Sequence, residues 1–242
     1  MTRAADKTLS IVQPVVLVLL PVFLLVCAVL RVPNAALITS IVAVVSLVPF
    51  FAQFELSHLR PRDLMPIVVM TALAVAGRLV FAPLPEIKPV MAIVVITGMA
   101  FGRQSGFITG ALAMLVSNMF FGQGPWTPWQ MYGFGLAGYA AGWFGQTRAG
   151  SSRVAVAAFG AALCLLYGFI LDSWMLIGFV HPTSIAAVLA TYAAGLPGNL
   201  VHAAGTVVFL LPIATAWPPL FDRIKRKYGI SPTIGSKARS SL

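Results

Sequence analysis

Eight long apolar segments divide this chain, and they limit the possible folds more than any other feature. The segments span residues 10–30, 35–54, 64–81, 89–102, 106–121, 128–145, 154–180 and 186–217. A membrane-spanning helix needs about 20 mainly apolar residues, and shorter runs suffice inside a bundle. We therefore predict an all-α polytopic membrane helix bundle. The last segment contains GLPG at 195–198, which predicts a break there, with an outer or re-entrant part before a helix from about residue 199.

The composition supports a membrane protein and gives no sign of a soluble domain. Hydrophobic residues make up 59% of the 242 residues and charged residues only 9%, whereas soluble domains carry about 25% charged residues. The net charge of +10 does not indicate nucleic acid binding, because the basic residues lie between and after the apolar segments. Cys27 and Cys164 lie inside apolar segments, which is typical of small core residues.

The basic residues also predict how the chain is oriented. If the N-terminus is cytoplasmic, 13 of the 16 Lys and Arg residues fall on the inner side. Only Arg31 and Lys88 then fall outside, and Arg78 lies within a span. Because positive residues accumulate on the cytoplasmic side, we predict a multi-pass protein of the cell membrane with both termini inside. The basic residues of 223–227 could also contact anionic lipid.

Residues 118–145 contain an uncharged turn rich in glycine and proline, at 122–128. Aromatic side chains with a polar tip follow it or lie within it: Trp126, Trp129 and Tyr132. Neutral amide side chains accompany them: Asn118, Gln123 and Gln130. Two interpretations stay open, which are an aromatic belt around a structural turn and the lip of a pocket for a neutral, flat or bulky solute.

Polar residues inside the spans fall mostly in the outer halves. They include Arg78, Asp172, Asn199 and His202. Since a charge buried in lipid costs at least ~2.5 kcal/mol, such residues normally face a cavity or a partner. Their shared depth favours a cavity open to the outside. An Arg78–Asp172 ion pair that only joins two helices remains an alternative, as does a packing role for His202.

Motifs for catalysis are missing from the sequence. It has no GxxxxGK[ST] phosphate loop and no HExxH metal motif. Asp172 is the only acid embedded in a span, so no carboxylate pair is available for acid–base chemistry. We therefore predict no enzymatic activity, no catalytic residues, no cofactor and no metal site.

Small residues recur at helical spacing, and one such strip could bind another membrane protein. The pairs are Ala72/Ala76, Gly98/Gly102, Gly106/Gly110 and Gly138/Gly142. Spacing of this kind lets helix backbones approach closely. For the glycine pairs we expect packing within the bundle. The nearly side-chain-free strip at 72–77 could instead dock a partner.

Four stretches, 70–81, 82–89, 121–131 and 195–211, together resemble the substrate-binding S components of energy-coupling factor (ECF) vitamin transporters. The resemblance covers roughly residues 62–228. It implies a six-helix core that captures a vitamin from the outer face, and partners in the form of a transmembrane coupling subunit and two cytoplasmic ATPases. Ala72 and Ala76 match the AxxxA strip with which the family contacts that subunit. The FGQGPWTPWQM loop is most similar to S components assigned to cobalamin or related corrinoids.

We predict three regions, which are a pair of transmembrane helices at 1–60, a six-helix S-component core at 61–222 and a basic cytoplasmic tail at 223–242. The N-terminal pair departs from the family pattern, because it adds two helices outside the usual core. Outer loops 82–89, 121–128 and 181–185 would act as gates. The candidate substrate-binding residues are Arg78, Asn118, Gln123, Trp126, Trp129, Gln130, Tyr132, Asp172, Trp174, Asn199 and His202. Two rival hypotheses remain, which are a stand-alone secondary transporter with Asp172 as its proton or ion site, and a membrane scaffold whose polar residues only join helices.

Overall fold

A computed structural model of the protein describes residues 12–20, 22–23, 26–27, 34–56, 61–180 and 184–230. Within these ranges the chain forms eight helices and no strand. Helix α1 comprises 12–20, 22–23 and 26–27. The others are α2 Ala35–Leu56, α3 Pro61–Val80, α4 Val90–Phe101, α5 Arg103–Phe121, α6 Thr127–Phe144, α7 Arg153–Met175 and α8 Ile185–Tyr228. A 3₁₀ turn, Arg148–Ser151, precedes α7, and a π-helical turn, Leu176–Val180, extends it.

The predicted membrane helix bundle is confirmed. In the described ranges, five helices are long and apolar enough to cross a membrane, and α4 is a shorter apolar helix. From α2 onwards the helices begin within a few residues of the predicted segments. The backbone takes positive φ angles at Gly102 (97°) and Gly122 (98°), where α4 and α5 end. Glycine adopts this conformation without the steric cost that a Cβ would bring.

The predicted break at 195–198 is wrong, because α8 is continuous from Ile185 to Tyr228. Neither glycine of this stretch ends the helix, and Gly195 leaves room for a neighbouring side chain, whereas a Cβ on Gly198 would make ordinary van der Waals contact. A Cβ on Gly195 would lie 2.4 Å from the Asp172 carboxylate, and one on Gly198 would lie 3.8 Å from Glu86. The intervening Pro197 is helical, as membrane helices allow. The 44 residues of α8 make it about 66 Å long at 1.5 Å per residue.

Helices α4, α5 and α6 form the tightly packed centre of the bundle. Their backbones meet at three glycines, Gly98, Gly106 and Gly138. A Cβ on Gly138 would lie 2.1 Å from the Gly106 carbonyl oxygen, and one on Gly98 would lie 2.2 Å from that of Gly138. Helix α4 is buried along most of its length, with α3 and α8 beside it and α7 packed against α8. The predicted packing role is thus confirmed for the glycines within these helices, whereas Gly102, the predicted partner of Gly98, ends α4 instead.

The N-terminal helices lie against the opposite side of α5 and α6. Helix α2 contacts α5, α6 and the π-helical turn after α7. The Phe50 ring stacks on Phe107 with centroids 3.7 Å apart, and it meets Tyr139 edge-on at 5.7 Å. The two N-terminal helices are thus packed into the bundle through buried aromatic side chains. Of the predicted basic tail at 223–242, the first residues belong to α8, and 231–242 lie outside the described residues.

The glycine contact predicts the effect of adding a side chain. We expect Gly138→Val to lower the free energy of unfolding by about 3 kcal/mol or more, because the new atoms would overlap the backbone of α5. Thermal unfolding in detergent measures the change. The matched control is Ala162→Val on the exposed face of α7, which we expect to leave stability nearly unchanged. Equal stability of the two variants would contradict the packing described.

Candidate functional site

A hydrogen-bonded network of polar side chains joins α3, α5 and α6 at the predicted outer end of the bundle. Arg78 donates through Nη1 to Ser117 Oγ at 2.5 Å and to Asn118 Oδ1 at 2.7 Å. Asn118 in turn donates through Nδ2 to Gln130 Oε1 at 2.7 Å and to Thr127 Oγ1 at 3.0 Å. Asn118 is therefore the centre of the network, since it uses both its carbonyl and its amino group across helices.

The network continues into α7 and α8 through aromatic residues. The Gln130 side chain lies near that of Tyr167 on α7. The Tyr167 ring lies against Gly133, where a Cβ would come within 2.6 Å of it, and meets Phe134 edge-on at 4.6 Å. His202 is buried with its ring 5.8 Å from that of Tyr167. These neighbouring groups form one row that crosses from α3 to α8, which we call the polar row. Its members are Arg78, Asn118, Gln130, Tyr167 and His202.

A second polar pair, Asp172 and Asn199, lies beside this row. Asn199 Nδ2 donates to Asp172 Oδ2 at 2.8 Å, and Asn199 is three residues before His202 on α8, so both lie on one face. Gly168 allows this arrangement, because a Cβ there would lie 2.2 Å from the Asn199 side chain. The alternative of an Arg78–Asp172 ion pair is wrong, since among the described residues each of these side chains bonds to a neutral partner instead.

The Arg78 guanidinium is held mainly by neutral groups. It lies 4.8 Å from the centroid of the Phe121 ring, a distance at which a cation is attracted to an aromatic face. Glu86, in the loop between α3 and α4, acts on Arg78 electrostatically from farther away. Arg78 thus brings a positive charge to a region of amide and hydroxyl groups, where it could donate strong hydrogen bonds to a ligand's carbonyl oxygens.

The loop between α3 and α4 packs across α8, next to the polar row. A Cβ on Gly205 would lie 3.4 Å from Ile87, and Pro89 fills the space beside Gly77. Glu86 has a positive φ of 59°, which marks a tight bend in this loop. Of the predicted gates, 82–89 and 121–128 therefore lie near the network. In the third, 181–185, residues 181–183 lie outside the described residues.

The aromatic residues predicted to form the lip of a pocket are not gathered around the polar row. Trp129 and Tyr132 are both buried, and Tyr132 Oη donates to the carbonyl oxygen of Leu17 in α1 at 2.6 Å. Trp174 is buried in the same apolar cluster as these two residues. Trp126 remains at the surface with 40% of its area exposed. Trp129 and Tyr132, which follow the turn on α6, thus pack this helix against the N-terminal helices.

Three further side chains were placed differently from the prediction or were missed. Gln123 is exposed and donates to the Leu115 carbonyl oxygen at 2.9 Å, away from the network. Ser117 and Tyr167 belong to the network but were not predicted. A tyrosine within an apolar span, five residues before Asp172, is a signal that could have identified Tyr167.

An open cavity of about 490 Å³ lies at the other end of the bundle, where α4 ends and α7 begins. Its walls include Met99, Arg153 and Ala214. None of the predicted substrate-binding residues lines it. At the predicted outer end the polar groups bond to one another, so a ligand would have to replace some of these hydrogen bonds.

The comparison with known families identifies the chain. A family model described as "ECF-type riboflavin transporter, S component" matches residues 58–217, well over half of the chain. The chain belongs to this family. No curated protein and no solved structure gives a significant match. The resemblance to ECF S components is confirmed, whereas the corrinoid type is not, because the matching family is the riboflavin one.

This S component is therefore a membrane-embedded substrate-binding subunit of an ECF transporter. The match begins just before α3 and ends within α8, so it includes the helices that carry the polar row. Helices α1 and α2 precede it. The family is one of transport components and not of enzymes.

The centre of the polar row can be tested without any ligand. We expect Asn118→Ala to lower the free energy of unfolding by about 1–3 kcal/mol, because Arg78 and Gln130 each lose a buried partner. Thermal unfolding in detergent measures it. Gln123→Ala, which changes an exposed amide a few residues further on, serves as the control and should have little effect. If both variants unfold at the same temperature, Asn118 does not hold the row together.

Proposed function

We propose that this S component captures riboflavin, or a closely related flat and neutral heterocycle, at the outer end of α3 and α5–α8. The observation that carries the proposal is the row from Arg78 through Asn118 and Gln130 to Tyr167, which joins four helices. The ligand is the one that the family description names. The proposed location of the protein is the cell membrane, with both termini in the cytoplasm.

The chemistry of a flavin suits these groups. One edge of its ring system carries carbonyl acceptors on either side of an imide N–H donor. Arg78 and the amino group of an amide supply donors, and the carbonyl of Asn118 or Gln130 supplies an acceptor. The faces of the ring are aromatic and would stack on Tyr167. The ribityl hydroxyl groups would suit Asp172 and Asn199, which accept and donate hydrogen bonds at the end of the row.

Amide side chains that bond to neighbouring side chains suit a binding site that holds no ligand. Without ligand, Asn118 accepts a hydrogen bond from Arg78 and donates to Gln130 and Thr127, so its buried amide group is paired in an apolar surrounding. A ligand that offers the same pattern replaces these bonds one for one. A ligand that lacks one of them leaves a buried group unpaired, which provides strong discrimination.

The loop that suggested a corrinoid does not support a ligand of that size here. Trp129 and Tyr132 pack against the N-terminal helices and are not free to surround a large ring. The groups that remain along the row are few and close together, which favours a smaller heterocycle. A corrinoid is the second candidate, and ligand identification separates the two.

The coupling subunit is proposed to bind the exposed face of α3. Ala72 and Ala76 are exposed there, together with Val69, Leu73 and Val80. Among the described residues, this face is not covered by α1 or α2, so a partner helix could approach closely along the alanines. Two ATPases on the cytoplasmic side of the coupling subunit would supply the energy. The proposed division into 1–60, 61–222 and 223–242 assigns this contact to the core.

The first test identifies the ligand. We expect denatured, purified protein to release one flavin per chain, detected by mass spectrometry and fluorescence. In Gln130→Ala, which removes two hydrogen-bonding groups, affinity should fall at least tenfold, since each lost bond to a buried group costs about 1 kcal/mol or more. Gln146→Ala, at the far end of α6, is the control and should bind normally. Release of a corrinoid instead, or of no small molecule, would overturn the flavin proposal.

The second test separates binding from coupling. We expect Ala72→Trp with Ala76→Trp to abolish uptake by cells that express a coupling module, because bulky side chains prevent close helix approach. Flavin binding by the purified variant should stay unchanged. Leu73→Trp and Val208→Trp, on exposed faces of α3 and α8, help to map the contact. Uptake that persists in liposomes without any ATPase, and that is lost in Asp172→Asn, would favour the secondary transporter instead.

A further inference from the structure

Helices α1 and α2 are attached to the bundle by polar contacts at three depths. At one end, Gln13 Nε2 donates to Gln104 Oε1 at 3.2 Å, and Gln104 donates to the Phe50 carbonyl oxygen. Halfway along, the Tyr132 hydroxyl donates to the Leu17 carbonyl oxygen in α1. At the other end, Ser40 Oγ donates to the Pro125 carbonyl oxygen at 3.2 Å. All four donor side chains are buried, so they are costly to separate in an apolar surrounding.

The contact at Pro125 lies close to the substrate row in the chain. Two residues after Pro125, the Thr127 hydroxyl accepts a hydrogen bond from Asn118 at 3.0 Å. The Thr127 backbone N–H donates to the Gly124 carbonyl oxygen at 2.9 Å, which closes the turn at the start of α6. The position of the Pro125 carbonyl therefore affects where Thr127, and with it Asn118, is held.

We propose that α1 and α2 form a built-in brace that fixes the loop at 122–126, with Ser40 as the positioning residue. The brace limits the movement of this loop and so slows ligand exchange at the row. The effect of the brace on ligand exchange rests on the proposed function. Its effect on the loop at 122–126 does not depend on which ligand binds. Ser40 acts on the row through Pro125 and Thr127.

The loop is tested first, without ligand, in the full-length protein in nanodiscs. We expect Ser40→Ala to speed hydrogen–deuterium exchange of the amides at 123–127 about threefold, since a single hydrogen bond in a membrane protein contributes about 0.6 kcal/mol. Ser40→Thr keeps the hydroxyl and should restore the slow rate. Ser46→Ala is the matched control, because among the described residues the Ser46 hydroxyl bonds within its own helix, to the Ala43 carbonyl oxygen at 2.6 Å. Unchanged exchange at 123–127 in Ser40→Ala would overturn the brace.

Ligand release is tested second, with riboflavin as the probe and its fluorescence as the signal. We expect release from Ser40→Ala to be about threefold faster than from the wild type, Ser40→Thr or Ser46→Ala. Faster loop exchange with unchanged release would overturn the role of the brace in ligand exchange. A wild type that binds no riboflavin, but whose loop responds to Ser40→Ala, would refute the proposed substrate and support the brace. A failure of the proposed substrate can thus be distinguished from a failure of the brace.

Discussion

The structure depends on the pairing of polar side chains within an apolar bundle. Where lipid surrounds a protein, an amide or a charge without a partner is costly. The described core meets this constraint by bonding such groups across helices, with Asn118 shared by α3 and α6 and Asn199 bonded to Asp172 of α7. These bonds set which helix faces meet at the predicted outer end. They also place hydrogen-bonding groups where a polar ligand could use them.

Close packing at the centre makes this arrangement possible. Because α4, α5 and α6 approach within backbone contact at Gly98, Gly106 and Gly138, the ends of α5 and α6 lie near each other beyond the glycines. The side chains of Asn118 and Gln130 then reach one another directly. Two properties of one sequence, glycines where the spans meet and amides at the facing ends of α5 and α6, therefore bring Asn118 and Gln130 together.

Much of the fold could be predicted from the sequence, because long apolar segments in a membrane have few alternatives to helices. The error at 195–198 has a local cause. Glycine and proline end helices in water, but here Gly195 is helical and leaves room for the Asp172 carboxylate. Sequence alone does not distinguish a glycine that ends a helix from one that admits a neighbouring side chain.

The candidate site could be predicted in part. Arg78, Asn118 and Gln130 were identified because polar residues at one depth tend to meet. Trp129 and Tyr132 were assigned to a pocket because their rings suit a wet boundary, but the direction in which a helix presents them depends on what packs beside it. Here that neighbour is the N-terminal pair, which lies outside the family match. No local pattern in 118–145 contains that information.

The length of α8 has a mechanical consequence. At about 66 Å it is roughly twice the thickness of the hydrocarbon layer, and it carries Asn199 in one half and the basic residues of its last turns in the other. Prolines are the usual places at which a helix bends, and Pro212, Pro218 and Pro219 lie between Asn199 and the basic residues of α8. A change of bend at one of these prolines would move the basic end relative to Asn199, so a helix of this length can flex as well as tilt.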